Sequence, residues 1–170
     1  MIKIFAGLKG SGKTKNLIEM VNVATSASKG NVICIEKGDK LIHEITHKAR
    51  LVDVDAFAID TWKKLYGFVC GMLATNYDIT DIFIDSILKI APEAKIEGFV
   101  SFVEALAPPL EKNGINLVMT ASTEVEHIPE PLKKYLYSAN RIKLLPVLPN
   151  LRCRYFFAKN QRYPKFNGHL

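Results

Sequence analysis

The chain has 170 residues, 48% of them apolar and 24% charged, which are the proportions of a globular protein with room for one domain and a buried core. No stretch reaches the ~18 uninterrupted apolar residues of a membrane-spanning helix. The net charge of +6 hides an asymmetry: residues 131–170 hold nine of the 23 Lys and Arg and none of the 17 Asp and Glu, so a mildly acidic body precedes a strongly basic tail.

The opening, Met1 to Ala6, reads as a short strand running into a glycine-rich turn. Gly7 and Lys9 interrupt it, so it lacks the apolar core of a signal peptide. From Thr14 the pattern turns helical, with Leu17, Ile18, Val21 and Ala24 on one face and Gly30-Asn31 as its stop. Val32 to Ile35 is a short apolar run of the kind found in strands covered on both faces. Asp39 is placed to cap a helix over the next ten residues, and Arg50 to Val54 suits a further strand. Asp60 or Thr61 caps a helix whose stripe is Trp62, Leu65, Tyr66, Val69, Met72 and Leu73. Within it, Gly67-x-x-x-Gly71 predicts a close contact with a neighbouring helix.

Asp81 to Asp85 reads as another buried strand, followed by a helix from about Lys95 to Leu106 that Pro108-Pro109 should break or kink. Ile115 to Thr120 is the next strand, Glu130 to Tyr137 a short helix and Arg141 to Leu145 a last strand. Strands alternating with helices of about a dozen residues predict an α/β, three-layer sandwich with a mostly parallel central sheet. One α/β domain is expected over residues 1–145, and Pro146-x-x-Pro149 marks its boundary with a basic, aromatic extension over 146–170.

Two short motifs compete for the chemistry. His43-Glu44-x-x-His47 has the spacing of a catalytic zinc site, which also needs a third protein ligand and a cleft that excludes water. On a helical wheel Leu41, Ile42, Ile45 and Ala49 share an arc about 100° wide, while both histidines lie opposite, beside Glu44. His127 is distant in sequence, so the pattern predicts a solvated helix face. Cys34, Cys70 and Cys153 form no Cys-x-x-Cys pair; reduced, mostly buried thiols in a cytoplasmic protein are the expectation.

Gly7-x4-Gly12-Lys13-Thr14 is a complete phosphate-binding loop pattern, and it sits between a strand and a helix as its chemistry requires. The glycines, Gly7, Gly10 and Gly12, let successive N–H groups, with those of Ser11 and Lys15, turn toward a phosphate at the positive end of a helix. Lys13 can reach the β- and γ-phosphates, and Thr14 can offer its hydroxyl to Mg²⁺. Asp85, ending an apolar strand, is placed to hold the same metal through its water shell.

On these residues the chain resembles the P-loop NTPase superfamily over roughly residues 1–145. Its opening and the stretch Asn76 to Ile90 also resemble a group of short bacterial ATP-binding proteins, some labelled by analogy with twitching-motility ATPases. The resemblance implies ATP and Mg²⁺ as cofactors and a Mg²⁺-dependent hydrolase. It departs from the better-known families in informative ways. Partition-type ATPases place a lysine directly after the first glycine, where Leu8 stands here. The guanine-reading Asn-Lys-x-Asp of GTPases is absent, which favours ATP. Small-molecule kinases rely on lid arginines, yet only Arg50 precedes Arg141.

In many ATPases with an extra central strand a Glu follows the metal-binding Asp; here Ser86 does. Glu36, at the end of the second strand, is the substitute expected to position the attacking water, a place used by recombinase-like ATPases. Thr120 and Ser122 are candidates to sense the γ-phosphate. Slow turnover is expected, since an activating arginine must come from Arg141, a second copy or another protein partner. A non-hydrolysing nucleotide switch is the alternative, and a small-molecule kinase the third. The tail interleaves Tyr155, Phe156, Phe157, Tyr163 and Phe166 with cations, a composition able to stack on and neutralise single-stranded nucleic acid.

Overall fold

The computed structural model describes residues 1–92 and 96–137. The expected last strand at 141–145, Arg141, the boundary at 146 and the basic, aromatic tail all lie outside the described residues. Five strands form one sheet: β1 (Ile2–Ala6), β2 (Asn31–Glu36), β3 (Arg50–Asp53), β4 (Ile79–Ile84) and β5 (Asn116–Ala121). Their order is β1-β5-β4-β2-β3, and every pairing is parallel. The α/β class and the parallel sheet match expectation. Parallel neighbours need crossovers that cover both faces, and this explains the continuous apolar runs.

Side chains alternate across the sheet. Ile33, Ile35, Ile82, Ile84, Leu117 and Met119 face one core, which is completed by α2 (Trp62–Thr75) and α4 (Ile96–Lys112). Val32, Cys34, Phe83 and Val118 face the other, completed by Leu17, Val21 and Ala24 of α1 (Lys13–Ala27) and by Leu41, Ile45 and Ala49. The sheet is therefore the middle of three layers. Beyond β1 the chain returns alongside: Ile4 donates to the Tyr135 carbonyl at 2.8 Å, and Tyr137 donates to the Ile4 carbonyl at 2.9 Å. No helix among the described residues is long and apolar enough to cross a membrane.

Several local expectations need correction. Residues 40–49 form successive turns instead of a helix. The cause is Asn22 on α1, whose side chain donates to the Glu44 carbonyl and accepts from the Thr46 amide, both at 2.9 Å. Those two bonds take backbone groups that a helix would use. Leu41, Ile45 and Ala49 still reach the core, but Ile42 is 58% exposed. Tyr66 likewise lies largely outside the core.

Pro108-Pro109 does not break α4, which continues to Lys112. Pro108 is exposed, while Leu106 and Leu110 on either side are buried and anchor the last turns. The final short helix is only α5 (Glu130–Lys133).

The close helix contact is also not at Gly67 and Gly71, where an added Cβ would meet nothing within 4 Å. It is at Gly98 on α4, where a Cβ would lie 2.2 Å from the Trp62 ring. Trp62 itself stacks on Phe99, with ring centroids 5.4 Å apart. Thr61 caps α2 as expected, accepting from the Lys64 amide at 3.3 Å.

Candidate phosphate-binding site

Because every strand is parallel, the loops leaving β1, β2, β4 and β5 gather at one end of the sheet, where ligands of open α/β sheets bind. The loop after β1 is fixed at its start by Gly7, whose amide donates to the Ala121 carbonyl at 3.2 Å. A Cβ on Gly7 would come 2.8 Å from the Ser11 hydroxyl, so the first turn is closely wound. Gly10 and Gly12 have φ of 87° and 80°, in the left-handed region that glycine occupies without strain. Gly12 is the residue that precedes α1. Among the described residues the amides of Gly10, Gly12, Lys13, Thr14 and Lys15 meet no hydrogen-bond acceptor. A row of free N–H groups at the start of a 15-residue helix is a favourable place for an anion.

Lys13 is folded over this loop. Its ammonium donates to the Leu8 carbonyl at 2.8 Å and to the Ser11 hydroxyl at 3.1 Å, leaving one of its three hydrogens uncommitted. Burial lowers its pKa; Asp85 opposes that shift and the Lys89 charge adds to it. Ser11 and Lys15 are exposed.

Asp85 directly follows β4, and its amide donates to the Ile35 carbonyl of β2 at 2.9 Å. The Thr14 hydroxyl donates to Asp85 Oδ1 at 3.0 Å, joining the two motifs across 71 positions of sequence. Thr120, on the intervening strand β5 where it pairs with Phe5 of β1, donates to the same oxygen at 2.8 Å. The Ser86 hydroxyl donates to Oδ2 at 2.9 Å. The Ser86 amide in turn donates to the Thr120 hydroxyl at 2.6 Å. Thr120 is 1% exposed, and its one hydrogen and an acceptor site are committed within this network. Thr120 thus holds Asp85, at the end of the sheet where it was expected as a candidate γ-phosphate sensor. Ser122 is exposed and makes no side-chain hydrogen bond among the described residues.

Ser86 is one of two non-glycine residues with positive φ among the described residues, at 48°. That backbone costs about 1–2 kcal/mol for an L-residue and is held here by the bonds to Thr120 and Asp85. The turn leads into the four-residue α3 (Ile87–Ile90), which carries Lys89.

Glu36 ends β2 and is 3% exposed. Its two carboxylate oxygens accept from the Leu41 amide at 3.1 and 3.2 Å. Burial raises its pKa, the Leu41 amide opposes that shift, and the nearby charge of Asp85 adds to it. Glu36 and Asp85 line one pocket of about 350 Å³ between the ends of β2 and β4.

The histidines stand apart from all of this. His43 and His47 are exposed, and among the described residues no three His, Cys, Asp or Glu side chains group closely enough to hold a metal ion by themselves. Lys13, Thr14, Glu36 and Asp85 are therefore gathered at one end of the sheet, as the sequence led one to expect. Thr120 as a support for Asp85 and Lys89 at the pocket were missed. Only the ending of a buried strand in a threonine hinted at the first. No protein-family model matches the chain, and no curated protein matches its sequence.

Proposed function

We propose that the chain binds ATP with Mg²⁺ through the loop from Gly7 to Thr14 and hydrolyses it slowly, in concert with a protein partner or a second copy. The observation that carries this reading is the 3.0 Å hydrogen bond from Thr14 to Asp85. It puts a hydroxyl, a carboxylate, the free loop amides and the Lys13 ammonium around one space. The arrangement is P-loop-like, with β5 as an extra strand between β1 and β4.

The donor set suits Mg²⁺, which takes hard oxygens and keeps several waters. Thr14 donates its hydroxyl hydrogen bond to Asp85, and this leaves its oxygen lone pairs for a cation. Bound there, Mg²⁺ would neutralise charge on the β- and γ-phosphate oxygens. The loop amides and Lys13 hold and orient the phosphates. Glu36 orients water at the pocket beside Asp85 once it is released from the Leu41 amide. Turnover is slow because the only arginine among the described residues, Arg50, begins β3 at the other end of the sheet. A cytoplasmic location belongs to the same proposal, and the free thiols of Cys34 and Cys70 agree with it.

A second reading, a nucleotide switch that barely hydrolyses, is favoured by one specific observation. Glu36 is held by Leu41, and Ser86 stands where a catalytic carboxylate would follow Asp85. Calorimetric titration of Mg-ATP into the protein and into Lys13→Ala, with phosphate release followed on the same samples, tests both. Binding that is lost in the variant supports the loop, and the release rate ranks ATPase against switch. Absence of binding by the wild type would overturn the reading.

A further inference from the structure

The pocket beside Asp85 is rimmed by three lysines from two elements. Lys37 is 3.7 Å from Asp55 and so has an acidic neighbour. Lys40 and Lys89 have neither an ion pair nor a side-chain hydrogen bond among the described residues. Of these two, Lys89 stands on the chain segment that leaves Asp85, and its position is set by the strained Ser86 turn. Its amide donates to the Ser86 carbonyl at 2.8 Å, closing that turn.

Asp85 forms no ion pair with Lys89; its Oδ1 accepts from Thr14 and Thr120 and its Oδ2 from Ser86. Lys13 folds over the loop whose Thr14 bonds Asp85, and Lys89 lines the pocket that Asp85 also lines. The two ammonium charges repel one another, the Asp85 charge offsets that repulsion for Lys13, and a phosphate placed between the lysines would add a further attraction. Asp85 is common to both places: Thr14 of the loop donates to it, and it lines the pocket together with Lys89.

Resting on the ATP reading above, we propose that Lys89 is a second phosphate-binding cation of this site: Lys13 holds the phosphate chain from the loop, and Lys89 meets the terminal phosphoryl group from the pocket side. The site thereby prefers ATP to ADP, because the diphosphate ends before it reaches Lys89. Lys89 acts from within the same chain, so this preference needs no partner.

The test is titration of ATP and of ADP, each with Mg²⁺ at low ionic strength, into wild type, Lys13→Ala, Lys89→Gln and Lys89→Arg. Lys89 is exposed, so its replacement does not threaten the fold. Lys89→Gln is expected to weaken ATP about tenfold, the size of one charge-assisted hydrogen bond, with ADP changed by less than about twofold. Lys89→Arg should keep most of the preference, since it keeps the charge. Equal effects on the two nucleotides, or no effect on either, would overturn the role of Lys89 while leaving the loop reading intact if Lys13→Ala still abolishes binding. A wild type that binds neither nucleotide overturns both.

Discussion

Thr14 and Asp85, 71 positions apart in the chain, meet through a 3.0 Å hydrogen bond in which the hydroxyl donates to the carboxylate. Neither needs the other for the fold's main core, as Thr14 and Asp85 are only half-buried. Asp85→Asn removes the negative charge while keeping the shape. We expect it to weaken Mg-ATP by roughly tenfold or more, the range for a hydrogen bond or contact to a charged group. Nucleotide binding in the presence of a chelator should change little. Calorimetry with and without Mg²⁺ checks this, and an unchanged response to the metal in Asp85→Asn would remove Asp85 from the metal's site.

Thr120 gives a contrasting prediction. Its hydroxyl accepts from the Ser86 amide at 2.6 Å and donates to Asp85 at 2.8 Å in a setting closed to solvent. Thr120→Val is nearly the same size, yet it strands a buried amide and takes one donor from the carboxylate. The expected loss is about 1–3 kcal/mol of folding stability, with Thr120→Ser losing much less. Urea unfolding measures it without nucleotide. A pure phosphate sensor would leave that midpoint unmoved and alter only ATP affinity.

The features legible in the sequence are those set by local chemistry. Gly12-Lys13-Thr14 reads as a phosphate loop because glycine, ammonium and hydroxyl each answer a local need, and the buried strands read from their apolar runs. Which strand lies beside which is not local. The placement of β5 between β1 and β4, which brings Thr120 onto Asp85, depends on pairings between distant segments. The 40–49 segment misled for a related reason. Its helical spacing is real, and three of its apolar residues are buried, but Asn22 supplies competing bonds to its backbone from another element. The glycines show the same limit: a close contact is a property of two surfaces, and Gly98 has Trp62 opposite it while Gly67 has open space.

That difference is itself testable. Gly98→Ala would drive a methyl into the Trp62 ring, where the nearest atom is 2.2 Å away, so α2 and α4 must separate or Trp62 must turn off its stack with Phe99. Overpacking of this kind costs roughly 1–3 kcal/mol. Gly67→Ala and Gly71→Ala, on the exposed side of α2, should each raise stability by about 0.5–1 kcal/mol through helix propensity and a more restricted unfolded chain. Thermal or urea unfolding of the three variants should give shifts of opposite sign. A stabilising Gly98→Ala, or destabilising changes at Gly67 and Gly71, would mean the helices pack by a different face.

Glu36 links the site to pH. Burial holds its carboxyl above the ordinary value of 4.5, more than the Leu41 amide draws it down, and Asp85 pushes the same way. The folded protein therefore keeps this proton to higher pH than the unfolded chain does. Between the unfolded value and the raised folded one, the folded state binds more protons, so the residue's contribution to stability falls as pH rises. Above the folded value the cost is present in full. Glu36→Gln, which cannot ionise, should match the wild type below about pH 4.5 and become relatively more stable as pH rises through that window, reaching a plateau beyond it. Denaturant titrations of both proteins over that range read the difference directly. The same variant separates the two functional readings. If Glu36 orients the attacking water, Glu36→Gln should bind Mg-ATP as tightly as wild type while phosphate release drops about 10²-fold or more. Unchanged release would take Glu36 out of the chemistry and leave it as a latch on Leu41, which holds the first turn of the 40–49 segment against the end of β2.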